Sequence, residues 1–206
     1  MGQRSQIYVR YETENKRVLF ARYFQWNYGE RMISRARYTI EWLKNNAVFA
    51  WNVKDKLVNI IETNFDMIDV VKTQDIAASY KEYKEALSDE WRHETFNDYV
   101  FHDDNNDGKL LIDVRNDGIF YAFIDWNNKY IGSGNSYMKW NIDKEWKKPS
   151  DYMKQETIDY TVKNIREIRK MAKLMTRDQV KEFLSYNYEA DDPTAKEIRC
   201  FSAIPA

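Results

Sequence analysis

Arginine and aromatic side chains crowd the first 50 residues, where Arg4, Arg10, Arg22, Arg31, Arg35 and Arg37 stand among Tyr8, Tyr23, Trp26, Tyr28, Tyr38 and Trp42. A guanidinium binds phosphate or carboxylate oxygens in pairs, and an aromatic ring stacks on a base. The mixture therefore suits a nucleotide, a nucleic acid or an acidic protein surface. Residues 1–50 hold nine Lys and Arg against four Glu, a surplus of five positive charges, and seven of the nine are Arg. The whole chain carries -1, so the remainder must carry -6. A chain so balanced is not coated with basic charge for indiscriminate nucleic-acid binding, and its anion chemistry must be local. The candidate ligand-binding set is Arg4, Tyr8, Arg10, Arg22, Trp26, Tyr28, Arg31, Arg35, Tyr38 and Trp42. A purely structural use of the same residues, as Arg-on-ring stacks and ion pairs to Glu30 and Glu41, is the competing account.

Other chemistry is sparse. Asp103, Asn105, Asp107 and Gly108 match positions 1, 3, 5 and 6 of a calcium loop, but position 12 is Val114 where a bidentate Glu is needed. A polar hairpin tip is the better account, and no metal is expected. His93 and His102 lie near Glu94 and Asp98, yet no nucleophile elbow, zinc-protease pair or phosphate-binding glycine loop accompanies them. Cys200 is the single cysteine, so an intramolecular disulfide is excluded. No catalytic residue and no cofactor is assigned.

These side chains need a scaffold, and periodicity supplies one. Ile7, Val9 and Tyr11 alternate with polar neighbours, and alternation resumes from Val18 to Phe24, which predicts an N-terminal β-hairpin. Ile33, Ala36, Ile40 and Leu43 mark the inner face of a helix from Tyr28 to Lys44, with Arg31, Arg35, Tyr38 and Trp42 on its other side. Leu57 to Phe65 and Ile76 to Trp91 suggest two more helices. Asp107-Gly108 and Asn116-Asp117-Gly118 are turn signals that cut residues 99–131 into a central antiparallel meander. Its strand Ile119 to Ile124 is apolar on both faces, which calls for cover on both sides. A long helix opens at Pro149-Ser150-Asp151 with Ile158, Val162, Ile165, Ile168 and Ala172 inward, and Thr176 with Gln179 forms a capping box for a last helix. Four Trp-Asn pairs, at residues 26, 51, 126 and 140, have no fixed period; each Trp is expected to cap the core and each Asn to begin a turn. With 43% apolar residues and only 6 Gly and 3 Pro, the expectation is one α+β domain over residues 1–206, in which hairpin and meander pack against about five helices, with an irregular tail from Asp191.

No apolar run approaches the roughly 18 residues of a membrane span, and the polar start, Met1 to Gln6, has no signal-peptide core, so a cytoplasmic protein with no membrane partner is expected. Gln6 also stands where a myristoylation motif needs Ser or Thr.

The stretches Met1–Tyr11 (MGQRSQIYVRY) and Ala21–Met32 (ARYFQWNYGERM) resemble the opening of a group of small uncharacterised proteins carried by prophages and other mobile elements of low-GC Gram-positive bacteria. The resemblance spans about the first quarter of the chain and brings no catalytic motif, so no site residue is carried over. It implies an accessory protein in the cytoplasm of a bacterial host, binding and modulating a host process such as a defence system. The leading expectation is a non-enzymatic binding protein for a host protein, nucleotide or nucleic acid. An enzyme acting on a nucleotide or nucleic-acid phosphate, or a structural homo-oligomer component, are the alternatives.

Overall fold

The computed structural model describes residues 3–12, 17–25, 27–46 and 106–186. Their order is β1 (Arg4–Glu12), β2 (Arg17–Gln25), α1 (Gly29–Asn46), β3 (Lys109–Arg115), β4 (Gly118–Ile124), β5 (Tyr130–Gly132), α2 (Gly134–Asn141), α3 (Gln155–Met171), β6 (Lys173–Leu174) and α4 (Arg177–Ser185). The fold is α+β. Four of its helices lie among the described residues, and the expected helices at residues 57–65 and 76–91 fall outside them.

Hairpin and meander turn out to be one mixed sheet, ordered β2-β1-β3-β4-β5, with β6 also paired to β4. β1 and β2 pair antiparallel from Arg4 opposite Gln25 to Glu12 opposite Arg17. β3 and β4 pair antiparallel across the Asn116-Asp117-Gly118 turn, and β5 joins β4 through a turn closed by Asp125 and Asn128, which neither turn signal marked. The join is a parallel pairing of β1 with β3, Gln6 beside Lys109 through Tyr11 beside Val114. A parallel pair needs a crossover rather than a tight turn, and α1 begins that crossover.

Alternation then sorts the sheet's side chains. Ile7, Val9, Leu110, Ile112, Val114, Ile119, Tyr121 and Phe123 share one apolar cluster with Ile33, Ala36 and Ile40 of α1, Tyr137 and Met138 of α2, and Ile158, Ile165 and Ile168 of α3. The inward stripes expected for α1 and α3 are the ones buried. The opposite sheet face carries Tyr8, Arg10, Leu111, Asp113, Phe120, Ala122 and Ile124, all buried as well. The strand Gly118–Ile124 is covered on both faces, as its composition requires.

Local chemistry sets the boundaries. Gly108 takes φ +84 at the turn into β3, where an added Cβ would lie 2.7 Å from the Ile124 carbonyl oxygen and 3.1 Å from the Trp140 ring. The Thr176 hydroxyl accepts from the Gln179 backbone and the Gln179 side chain accepts from the Thr176 backbone, the capping box expected for α4. α3 starts at Gln155 rather than at Pro149 because Ser150 and Met153 close a turn on each other, with backbone bonds of 3.0 and 3.3 Å. α2 has no apolar periodicity to announce it; Ser133 caps it, and Gly134 nestles between Ile33 and Ile165. Two Trp-Asn expectations are corrected: Trp126 is 57% exposed and Trp140 38%, so neither ring caps the core. Two Asn of these pairs, Asn141 and Asn27, do more. Asn141 accepts from the Gly29 amide at 2.8 Å and donates to Asp107 at 2.9 Å, and buried Asn27 donates to Ser5 at 2.7 Å, so these side chains pin chain segments together.

Candidate functional site

Among the described residues, the candidate Arg and aromatic side chains do not gather on one surface. Ile7 and Val9 point into the core beneath α1, so Tyr8 and Arg10, one residue out of phase, lie on the opposite sheet face, and the sheet separates them from Arg31, Arg35, Tyr38 and Trp42. Tyr8 is fully buried, with its hydroxyl donating to Gln6 Oε1. Arg10 is 1% exposed and joins Asp113 at two points, Nε to Oδ1 at 2.8 Å and Nη2 to Oδ2 at 2.6 Å. Arg35 is 6% exposed rather than on an open helix face, and Trp42 packs against the core cluster. The Arg4 amide is tied to Asn106 and Asp107. Arg31 leans over the Tyr28 ring at 5.6 Å. Arg22 stands on β2 opposite Ile7, and Trp26 lies outside the described residues. Arg4, Tyr8, Arg10, Arg31, Arg35, Tyr38 and Trp42 each make further interactions within the protein. Burial of Tyr8, Arg10 and Arg35 is the reason for the correction: these three serve the fold before they serve a ligand.

A different surface emerges where α1 and α3 lie side by side. Asn164 donates to Ser34, Ser34 donates to the Tyr160 hydroxyl at 3.3 Å, and Tyr160 shares a second 3.3 Å bond with Tyr38. Arg37 stacks on Tyr38, 4.2 Å from ring centre, and pairs with Glu41 one turn on. Burial alone pushes the Tyr160 hydroxyl up, but the bonds from Ser34, Tyr38 and Asn164, with Arg37 nearby, hold it below the ordinary tyrosine value. Tyr38 is raised, first by that bond to Tyr160 and then by burial. Of the two phenols, Tyr160 therefore gives up its proton the more readily.

From Tyr160 the solvent side of α3 continues as Lys163, Arg166 and Lys170, at i+3, i+6 and i+10, opposite the buried Ile158, Ile165 and Ile168. Lys163 and Arg166 are exposed and close no salt bridge among the described residues, whereas Lys170 pairs with Glu167 at 2.7 Å; Lys163 and Arg37 act on the same carboxylate at longer range. From Lys163 to Lys173 five cations face one carboxylate.

No family model, curated protein or solved structure matches this chain. Chemistry must therefore be argued from the side chains themselves. Asp107, the described acidic residue of the calcium-like stretch, spends one oxygen on the Arg4 amide and the other on Asn141. Among the described residues no group of three His, Cys, Asp or Glu is placed to hold a metal. His93, His102 and Cys200 lie outside the described residues. No described helix is long and apolar enough to cross a membrane. What the α1–α3 face offers is cations for an anion and tyrosine rings and hydroxyls for a planar or hydrogen-bonding group beside it.

The cation row had a sequence signal, since Lys163, Arg166 and Lys170 fall on the helix side away from the apolar stripe. It was hidden because the negative total of the remainder averages over it.

Proposed function

We propose that the protein acts by binding, without catalysis, and that the outer face of α1 and α3 receives a phosphate-bearing ligand, a nucleotide or a nucleic-acid segment. Supporting this is one observation above all: Lys163 and Arg166 stand exposed and close no salt bridge among the described residues, one and two turns along α3 from the Tyr160–Tyr38 pair, with Lys163 acting on Glu167 only at longer range. Cations in that state are hydrated and available, whereas Arg4, Arg10, Arg31 and Arg35 are already engaged within the protein. Tyr160 and Tyr38 add rings beside the charges, the pairing used on bases and their phosphates. The ligand chemistry expected of the N-terminus is thereby kept, and its place moves to α3.

An accessory role in a prophage or mobile element, in the cytoplasm of a bacterial host, belongs to the same proposal; it rests on the N-terminal resemblance. A protein that sequesters or senses a phosphate-bearing signal could modulate a host defence system in this way. The test is a titration of the purified full chain against linear and cyclic nucleotides, single- and double-stranded oligonucleotides and an acidic peptide, with mass analysis of recovered ligand. Binding to a phosphate-bearing ligand recovered intact supports the proposal. Chemically altered ligand would establish an enzyme, and binding to the acidic peptide alone would establish a protein partner.

A further inference from the structure

Away from the α1–α3 face, two arginines meet over one aspartate on the other side of the sheet. Asp113 on β3 holds Arg10 at two points, 2.8 and 2.6 Å, and takes Arg115 Nε on Oδ2 at 2.5 Å. Each guanidinium also has an aromatic floor: Arg10 lies 4.4 Å from the Phe183 centroid and Arg115 5.1 Å from that of Phe120. The two arginines are thus fixed by Asp113 and by ring contacts. Glu182 of α4 completes the cluster, accepting from Arg10 Nη1 at 3.2 Å and Nη2 at 2.8 Å and lying 3.7 Å from Arg115 Nη2. Its position differs from that of Asp113: the Asp113 side chain is 3% exposed and the Glu182 side chain 42%.

We propose that the Arg10–Arg115 fork is an oxyanion-binding site in which Glu182 is the internal occupant, and that a carboxylate or phosphate group from outside binds there by displacing it. A carboxylate in a guanidinium fork stands in for any two-oxygen anion of similar shape. Of the charges named above, taking Glu182 away leaves two guanidiniums against one carboxylate, in a place already walled by rings and therefore preorganised. The exchange does not require α4 to unfold, because the helix is anchored by buried Val180 and Phe183 and by its capping box. In the unaltered chain the tethered carboxylate competes at a high effective concentration, so external anions bind weakly.

The experiment compares the full chain with its Glu182→Ala and Glu182→Gln variants by thermal melting under rising inorganic phosphate or acetate at constant ionic strength. A ligand that binds only the folded state raises the melting temperature in a saturable way. In Glu182→Ala, phosphate, acetate or both should bind about tenfold or more tighter than in the unaltered chain. A response to phosphate alone assigns phosphate monoesters, and one to acetate assigns carboxylates. Arg115→Ala placed on top of Glu182→Ala should abolish the response. The proposal is overturned if Glu182→Ala shows no saturable response, or if the response survives Arg115→Ala. It is equally overturned if neither Glu182 variant folds, since Glu182 would then be a structural ion-pair member and nothing more. Charge reversal on α3 should leave this response untouched, which keeps the two binding surfaces separable.

Discussion

Arg10 on β1 and Asp113 on β3 are neighbours in the parallel register, and their side chains close a two-point bond at 2.8 and 2.6 Å inside the protein. The pair spans the junction that makes one sheet from hairpin and meander. Removing one partner breaks the two-point bond and leaves the other a buried charge with a single ion-pair partner named above, Glu182 for Arg10 or Arg115 for Asp113, so Arg10→Ala or Asp113→Ala should each destabilise by up to about 3–5 kcal/mol. Replacing both together, Arg10→Met with Asp113→Leu, should cost far less than the sum of the single changes. Denaturant melts of the four proteins check this, and additive losses would show that the two residues do not form a unit.

Gly108 carries the turn into β3 at φ +84, with the Ile124 carbonyl where a Cβ would go. Gly108→Ala combines backbone strain with a clash against main chain that cannot swing away. A loss of about 1–3 kcal/mol is expected. Urea unfolding at constant m-value measures it, and a loss below about 0.5 kcal/mol, the range of ordinary surface changes, would contradict this turn geometry.

The Asp107 carboxyl is raised above its ordinary value chiefly by burial, against the bonds from Asn141 and the Arg4 amide that lower it. A raised folded pKa means that its contribution is fully present below the unfolded value and is lost as pH rises through the folded one. Between those two values the stability advantage of the unaltered chain over Asp107→Asn should therefore shrink with rising pH. Carbon NMR of the carboxyl during titration gives the pKa directly; a midpoint at or below the ordinary aspartate value would refute the burial argument.

Ser34 donates to Tyr160 and so helps hold the phenol below its ordinary value. Ser34→Ala should move the Tyr160 titration upward, while leaving it unmoved would show that the hydroxyl chain does not tune this ring. Tyrosinate absorbance during alkaline titration, with Tyr160→Phe as the blank, reads it.

What the sequence made legible is what depends on neighbours in the chain. The stripe Ile33, Ala36, Ile40, Leu43 and the Thr176–Gln179 capping box are each set by residues within a few positions, and each stands in the fold as expected. Arg10 failed as a surface residue because the carboxylates that bury it are 103 and 172 positions away, and no local pattern reports them. The β1–β3 pairing is hidden for the same reason. Arg35 lies a helical half-turn from the apolar stripe, yet it is buried, so Arg35→Ala should not be as harmless as an open helix face would imply. On α3 the difficulty was arithmetic: a negative sum over the remainder concealed a row of like charges that only helical geometry collects on one side.

The central claim is that Lys163 and Arg166 bind phosphate. The most direct measurement is the affinity of the double variant Lys163→Glu, Arg166→Glu and of the unaltered chain for a single-stranded oligonucleotide and for a nucleoside triphosphate, across a series of salt concentrations. Both changes sit on exposed positions, so melting temperature should hold. Affinity should fall more than tenfold at low salt, and for the oligonucleotide the slope of log affinity against log salt should flatten by roughly 1 for each cation that touches a phosphate. Equal affinities and equal slopes in the two proteins, with the fold intact, would contradict the account.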